Sequence, residues 1–296
     1  MKVKILVACH KKDVMASVFP YEPIHVGKEL NSQLNLGITC DNTGSNISDK
    51  NASFCELTAL YWAWKNLKDI DIIGLCHYRR YFDFHNQCQK FVPFTEFNAS
   101  DFDNLDLSVP DEIINKVVKG EIVVAKKIDY YVPLSIDYCI SHISDDYRIL
   151  SHVIHTTQEK KYIDAFESFM QNNSKMSNFN MFIMKWSDFD AYCSWLFDIL
   201  DNVEKITDIS SYTVFQKRIY GYMAERLFNV WLLAERKETI HKPIMWIKNG
   251  TKLSVAERIK HCFKSWYCSC LSSLYPFFKI MPDLDNPNNA YYLHSK

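Results

Sequence analysis

From Asp71 to Phe82 the chain reads DIIGLCHYRRYF, and the abrupt change of character inside that stretch decides the fold. Ile70 to Cys76 is a short apolar run, the pattern of a strand buried on both faces, as in a parallel sheet covered by helices. His77, Tyr78, Arg79, Arg80 and Tyr81 follow at once, so such a strand delivers guanidiniums and an imidazole to its carboxyl end. Outward from there, similar runs lie at Val3 to Cys9, Glu121 to Ala125 and Phe179 to Met184, with helical patterns between several of them. That alternation predicts an α/β fold, a mainly parallel sheet flanked by helices. The clearest helix is expected to start at Ser53. Ser53 and Glu56 have capping-box spacing, and Leu57, Leu60, Tyr61 and Trp64 share one face. That capping position accounts for Glu56, which is therefore not counted as catalytic. Longer amphipathic helices are expected near Asp188 to Lys205 and Tyr212 to Ala234, with their aromatic and Met stripes in the core.

The 296 residues suffice for one large domain, taken as 1–240, with a C-terminal extension, 241–296, expected to be helical. Hydrophobic residues at 48%, with 7 Gly and 9 Pro, exclude disordered and fibrous classes. A net charge of −1 argues against nucleic-acid binding, which needs a dominant basic surface. The 10 cysteines are scattered, and Cys268 and Cys270 lack zinc-site spacing, so reduced thiols are expected. The opening MKVKILVACHKK is too short in its apolar part for a signal peptide and reads as a first strand. No run approaches the roughly 18 apolar residues of a membrane span, which predicts a cytoplasmic protein. Phe91 to Glu112 is polar and acidic and reads as a solvated insertion.

Ligands of open α/β sheets gather beyond the carboxyl ends of the strands. Two such ends are basic here: the first strand, with Ala8 near its end, runs into His10, Lys11 and Lys12, and DIIGLC runs into His77 to Tyr81. Converging on one crevice, they would bind a diphosphate through the planar donor fork of arginine. An arginine pair alone is explained as well by carboxylate partners at the sheet edge; the second basic end tips the reading toward an anion. Cys40 to Asn51, CDNTGSNISDKN, offers Asp41, Asn42, Thr43, Asn46, Lys50 and Asn51 in a turn-forming setting. Such a loop holds a ribose or sugar hydroxyl, or is a surface turn leading into the Ser53 cap; composition leaves both open.

Together, ILVACHK, PIHVG, DNTGSNIS, CELTALYWAWKN, IIGLCHYRRYF, FNMFIMK and FQKRIYGYMAERL resemble a bacterial family long catalogued as a domain of unknown function in capsule, exopolysaccharide and O-antigen gene clusters. The similarity runs from about Val3 to Leu233, and CHYRRYF is its most specific block. The resemblance implies a nucleotide-sugar glycosyltransferase with an A-type α/β fold. It also implies transfer of galactofuranose or another hexose from a nucleotide-diphosphate donor, a UDP-sugar, to a lipid-linked or oligosaccharide acceptor.

Most A-type transferases place Asp-x-Asp after a central strand to hold a divalent ion. Here that position reads His77, Tyr78, Arg79 and Arg80, while Asp69 and Asp71 precede the strand. Asp101 and Asp103 are the remaining pair suited to manganese or magnesium. The expectation is that no metal is needed, guanidinium and imidazole groups stabilising the leaving diphosphate instead. An inverting transfer needs a base for the acceptor hydroxyl, and Asp146 and Glu225 are equal candidates, although Glu225 reads as readily as a helix ion pair. His142, Asp145, Asn180 and Arg226 are candidate acceptor or sugar contacts. Lys242, Lys248, Lys252, Arg258, Lys260 and Lys264, followed by Trp266, Tyr267, Phe277 and Phe278, either rest on the inner-membrane surface or pack a terminal helix onto the core. Two rival functions stay open: a sugar-phosphate transferase or phosphohydrolase, and a non-catalytic glycan-binding scaffold.

Overall fold

The structure, a computed structural model, describes residues 1–249. Its first half runs β1 (Val3–Cys9), β2 (Tyr21–His25), β3 (Thr39–Cys40), α1 (Asn51–Phe54), α2 (Leu57–Asn66), β4 (Ile72–His77), β5 (Arg80–Phe82), β6 (Phe94–Asn98), α3 (Asp111–Val118) and β7 (Ile122–Ala125). Then come β8 (Ile128–Asp129), α4 (Leu134–Ser141), α5 (Ser144–Thr157), α6 (Lys160–Asn172), β9 (Lys175–Met176), β10 (Phe182–Lys185), α7 (Trp186–Ile206), α8 (Ile219–Ala234), β11 (Thr239–Lys242) and β12 (Ile244–Lys248).

The apolar runs pair as a mixed, mostly parallel sheet in the order β11-β7-β10-β4-β1-β2-β3, with β10 antiparallel to both of its neighbours. β1 and β4 lie side by side in parallel, from Val3 opposite Ile72 to Ala8 opposite His77. Side chains alternate across a strand, so Leu6 and Ala8 join one core layer, with α2, α7 and α8, while Ile5 and Val7 join the other, over α3. Gly74 lets β10 press close on β4, since a Cβ there would sit 3.0 Å from the Phe182 carbonyl oxygen and crowd it. β5 folds back on β4, and β12 and β6 extend it sideways. After β1 the chain builds outward to β2 and β3, and β4 then returns to the other side of β1. The reversal opens a crevice at the carboxyl ends of β1 and β4. The α/β sheet flanked by helices is thus the one expected.

Several boundaries differ from the sequence reading. No single helix starts at Ser53: α1 ends after one turn, Cys55 takes a positive φ of 54°, and α2 begins at Leu57. The capping box is not formed. Ser53 Oγ donates to the Lys50 carbonyl (3.1 Å), and Glu56 reaches across to Asn180. β10 starts at Phe182 rather than Phe179 because Phe179 and Asn180 have φ of 76° and 51°, which no strand accepts. α8 starts at Ile219 rather than Tyr212. The acidic insertion is partly built into the fold, β6 pairing with β12 and Phe102 being buried. The domain boundary at 240 falls inside β11, so the sheet domain extends through β12 to Lys248. The basic and aromatic residues from Lys252 onward, and the helix expected there, lie outside the described residues. Cys9, Cys40, Cys55, Cys76, Cys88, Cys139 and Cys193 are free thiols. Among the described residues no helix is long and apolar enough to cross a membrane.

Candidate active site

A cleft of about 1000 Å³ opens at the β1–β4 reversal. Its floor is the register pair of Ala8 and His77, extended by Tyr78 N donating to the Ala8 carbonyl (3.1 Å) and by the His10 ring edge-on to Tyr78 (5.6 Å). The two arginines then part. Arg79 Nε and Nη2 both donate to Asp13 Oδ2, at 3.0 and 2.5 Å. Arg80, opening β5, lies over the rings of Phe179 (4.7 Å) and Trp246 (4.9 Å), and its buried Nε has no acceptor among the described residues. Burial lowers its proton affinity, while the charges of Glu56 and Glu225 work against that effect. Lys217 and Arg218, just before α8, line the same cleft, and Arg218 Nε donates to Cys55 Sγ (3.3 Å).

Two carboxylates share this cleft, Glu56 from the α1–α2 break and Glu225 from α8. Both are held by the turn Asn178 to Asn180. Phe179 N donates to Glu225 Oε1 (2.9 Å), and Asn180 Nδ2 donates to Glu56 Oε1 (2.7 Å) and to the Gly221 carbonyl (3.3 Å). From the sheet side His77 Nε2 donates to the Phe179 carbonyl (2.6 Å), which fixes the proton on that nitrogen. Burial keeps the His77 ring neutral by lowering its proton affinity. Burial likewise pushes the Glu225 carboxyl above its usual range; Arg226 opposes the shift and Glu56 adds to it.

Of the expected donor contacts, Ala8, His10, Asn51, His77, Tyr78, Arg79 and Arg80 line the cleft, and of the two candidate bases Glu225 does. The others lie elsewhere. Lys11 is exposed beyond the lining, and Tyr81 is core, donating to the Tyr78 carbonyl (3.2 Å) and accepting from Ala16 N (2.9 Å). Asp41 is fully buried, accepting from Gly27 N (2.8 Å), Ser48 Oγ (2.5 Å) and Thr58 Oγ1 (2.6 Å). Its neighbours are likewise satisfied within the fold: Asn42 by Glu29, Thr43 by Trp62, Asn46 by Ser48 and Lys50 by Glu204. Asp146 is buried at the start of α5, accepts from Tyr212 Oη (2.6 Å), and is raised to about 6 by burial. Asp145 pairs with Arg148 (3.1 Å), and Arg226 pairs in the interior with Asp137 (2.9 Å). His142 stacks on Tyr222 (4.0 Å), and burial lowers it to about 3. Asn180 is buried beside the cleft as the partner of Glu56. Asp101 and Asp103 are exposed in the short turn Ala99–Asn104, away from the cleft. Among the described residues no group of three or more His, Cys, Asp or Glu is gathered around a metal-sized space.

Sequence reasoning missed Glu56, Asn178, Phe179, Lys217, Arg218 and Trp246 as cleft residues. Lys217 and Arg218 were visible as the basic start of FQKRIYGYMAERL, whereas the capping spacing concealed Glu56.

No characterised protein sequence matches the chain. A solved structure described as the apo form of the WbbM bifunctional glycosyltransferase is similar, with a TM-score of 0.76 and 28% identity over 86% of this chain and 48% of that one. This chain therefore spans about half the length of that protein. Residues 4–237, which take in the strands from Lys4 of β1 through β10 and every cleft residue except Trp246, match one family along their length. The chain belongs to the family described as Domain of unknown function (DUF4422).

Proposed function

We propose that the chain is a glycosyltransferase of polysaccharide assembly, moving a sugar from a nucleotide-diphosphate donor onto a glycan acceptor. The observation that carries this reading is Arg80, a guanidinium without a carboxylate partner at the sheet's reversal point, with His10, Lys217 and Arg218 in the same cleft. The printed description of the similar solved structure supports the same class of reaction.

In this reaction the bond from the anomeric carbon to the diphosphate oxygen breaks as the acceptor oxygen bonds that carbon. The nucleoside diphosphate leaves with the electron pair, and Arg80 and Arg218 stabilise its developing charge. Glu225 takes the acceptor proton: it faces the cleft, and its raised proton affinity makes it a stronger base than an ordinary carboxylate. Fixed cations after β4 serve where Asp-x-Asp would hold manganese or magnesium. A UDP-sugar donor, galactofuranose or another hexose as cargo, and a capsule, exopolysaccharide or O-antigen acceptor rest on the family resemblance, while a place at the cytoplasmic face of the inner membrane, beside a lipid-linked acceptor, rests on the basic and aromatic sequence from Lys242 onward.

The test incubates the protein with nucleotide-diphosphate sugars, with and without excess chelator, and identifies the product released. Free nucleoside diphosphate, undiminished by chelator, is expected. Strict dependence on added manganese would defeat the metal-free mechanism. Release of a nucleoside monophosphate or inorganic phosphate would instead mark a phosphohydrolase, and no turnover on any donor would leave a glycan-binding scaffold.

A further inference from the structure

Arg80 has two carboxylates for neighbours and an ion pair with neither. Glu56 and Glu225 are the acids that most sustain its charge, yet among the described residues no carboxylate pairs with it, in contrast to Arg79 on Asp13. A partly buried guanidinium beside an acid gains by closing into a charge-assisted pair, so the separation needs a cause. The turn Asn178 to Asn180 supplies one. Its backbone donor at Phe179 occupies Glu225, its amide at Asn180 occupies Glu56, and the Phe179 ring lies against the guanidinium. Holding consecutive non-glycine residues at φ of 76° and 51° is costly, and such strain persists only where the surroundings over-determine it. Here His77 and Gly221 clamp the turn from the other sides.

We propose that this turn is a charge spacer: it holds Glu56 and Glu225 off Arg80 and so leaves the guanidinium open to an anionic ligand, the donor diphosphate if the reading above holds. Asn180 is then a positioning residue, acting through Glu56 and Arg80 without touching the ligand. The spacer also keeps one cleft both acidic and cationic, with the base and the diphosphate cradle side by side and not neutralising each other.

Asn180→Gly tolerates the positive φ and removes the amide, so it tests the spacer with little strain on the backbone. Inorganic pyrophosphate is titrated calorimetrically into the wild type, Asn180→Gly, and Asn180→Gly with Glu56→Gln. The single variant is expected to bind at least about tenfold more weakly, because a freed Glu56 closes on Arg80, and the double variant to regain most of that loss. Unchanged binding in the single variant, or a double variant as weak as the single, would overturn the spacer, the second being what a merely structural role gives. Should the wild type take up no pyrophosphate, the donor reading fails by itself. A crystal structure of Asn180→Gly then decides the spacer: Arg80 paired with Glu56 supports it, and Arg80 still lying on Phe179 and Trp246 overturns it.

Discussion

The loop Cys40 to Asn51 and the turn Asn178 to Asn180 are both rich in asparagine and both lie near the carboxyl ends of the parallel strands, yet they use their polar atoms in opposite ways. The loop turns inward: Asp41 gathers donors from Gly27, Ser48 and Thr58, and of the six residues considered there Asn51 alone lines the cleft. The turn faces the cleft, the Phe179 N–H holding Glu225 and the Asn180 amide side chain holding Glu56 beside a guanidinium with no carboxylate partner among the described residues. The difference teaches that turn-forming composition reports a capacity for hydrogen bonding. Whether that capacity goes to the fold or to a ligand depends on what packs against it.

Four substitutions sharpen the contrast between polar groups that serve the fold and those that serve the cleft. The largest effect is expected from Glu225→Gln, which should lower turnover by about 10²- to 10⁴-fold while donor affinity changes little, the signature of a lost base. A fall in affinity without a fall in turnover would return Glu225 to a holding role. The base acts ionised and its proton affinity is raised, so wild-type turnover should fall, as pH drops, through a value above the ordinary glutamate range. Glu56→Gln removes a charge that adds to that shift and should move the acid limb toward lower pH.

Next comes Asp41→Ala, which strands several buried donors and should cost roughly 3 kcal/mol of stability, read by denaturant unfolding. If donor affinity fell while stability held, the loop would belong to the site after all. The smallest effect is expected from Asp146→Asn. Burial raises the folded-state value to about 6, above the ordinary aspartate range, so the ionisation penalty on the folded state is complete above about pH 6, shrinks as pH falls, and is gone below the unfolded aspartate range. The amide should therefore raise stability at pH 8 by on the order of 1–2 kcal/mol and leave turnover unchanged, whereas a collapse of turnover would restore Asp146 as the base.

The sheet was legible because its strands are contiguous and apolar, and because DIIGLC ends so sharply at His77. The cleft's floor followed from that ending. Its walls did not, since Glu56, Asn178, Phe179 and Trp246 come from separate segments that meet only once β10 and β12 are laid into the sheet. Local spacing misled twice. Ser53 and Glu56 have capping-box spacing, but Cys55 breaks the helix between them, and Asp146 opens α5 from inside the protein. Adjacent arginines also looked equivalent until Asp13 claimed one of them.

That division between Arg79 and Arg80 is tested by titrating uridine diphosphate into the wild type, Arg80→Ala and Arg79→Lys, the last chosen to leave Asp13 a cation. Loss of the unpaired guanidinium should weaken binding by about 10- to 100-fold, the worth of a charged hydrogen-bonding partner, with Arg79→Lys close to wild type. Equal affinity in Arg80→Ala and the wild type would contradict the assignment of this cleft to a nucleotide-diphosphate donor.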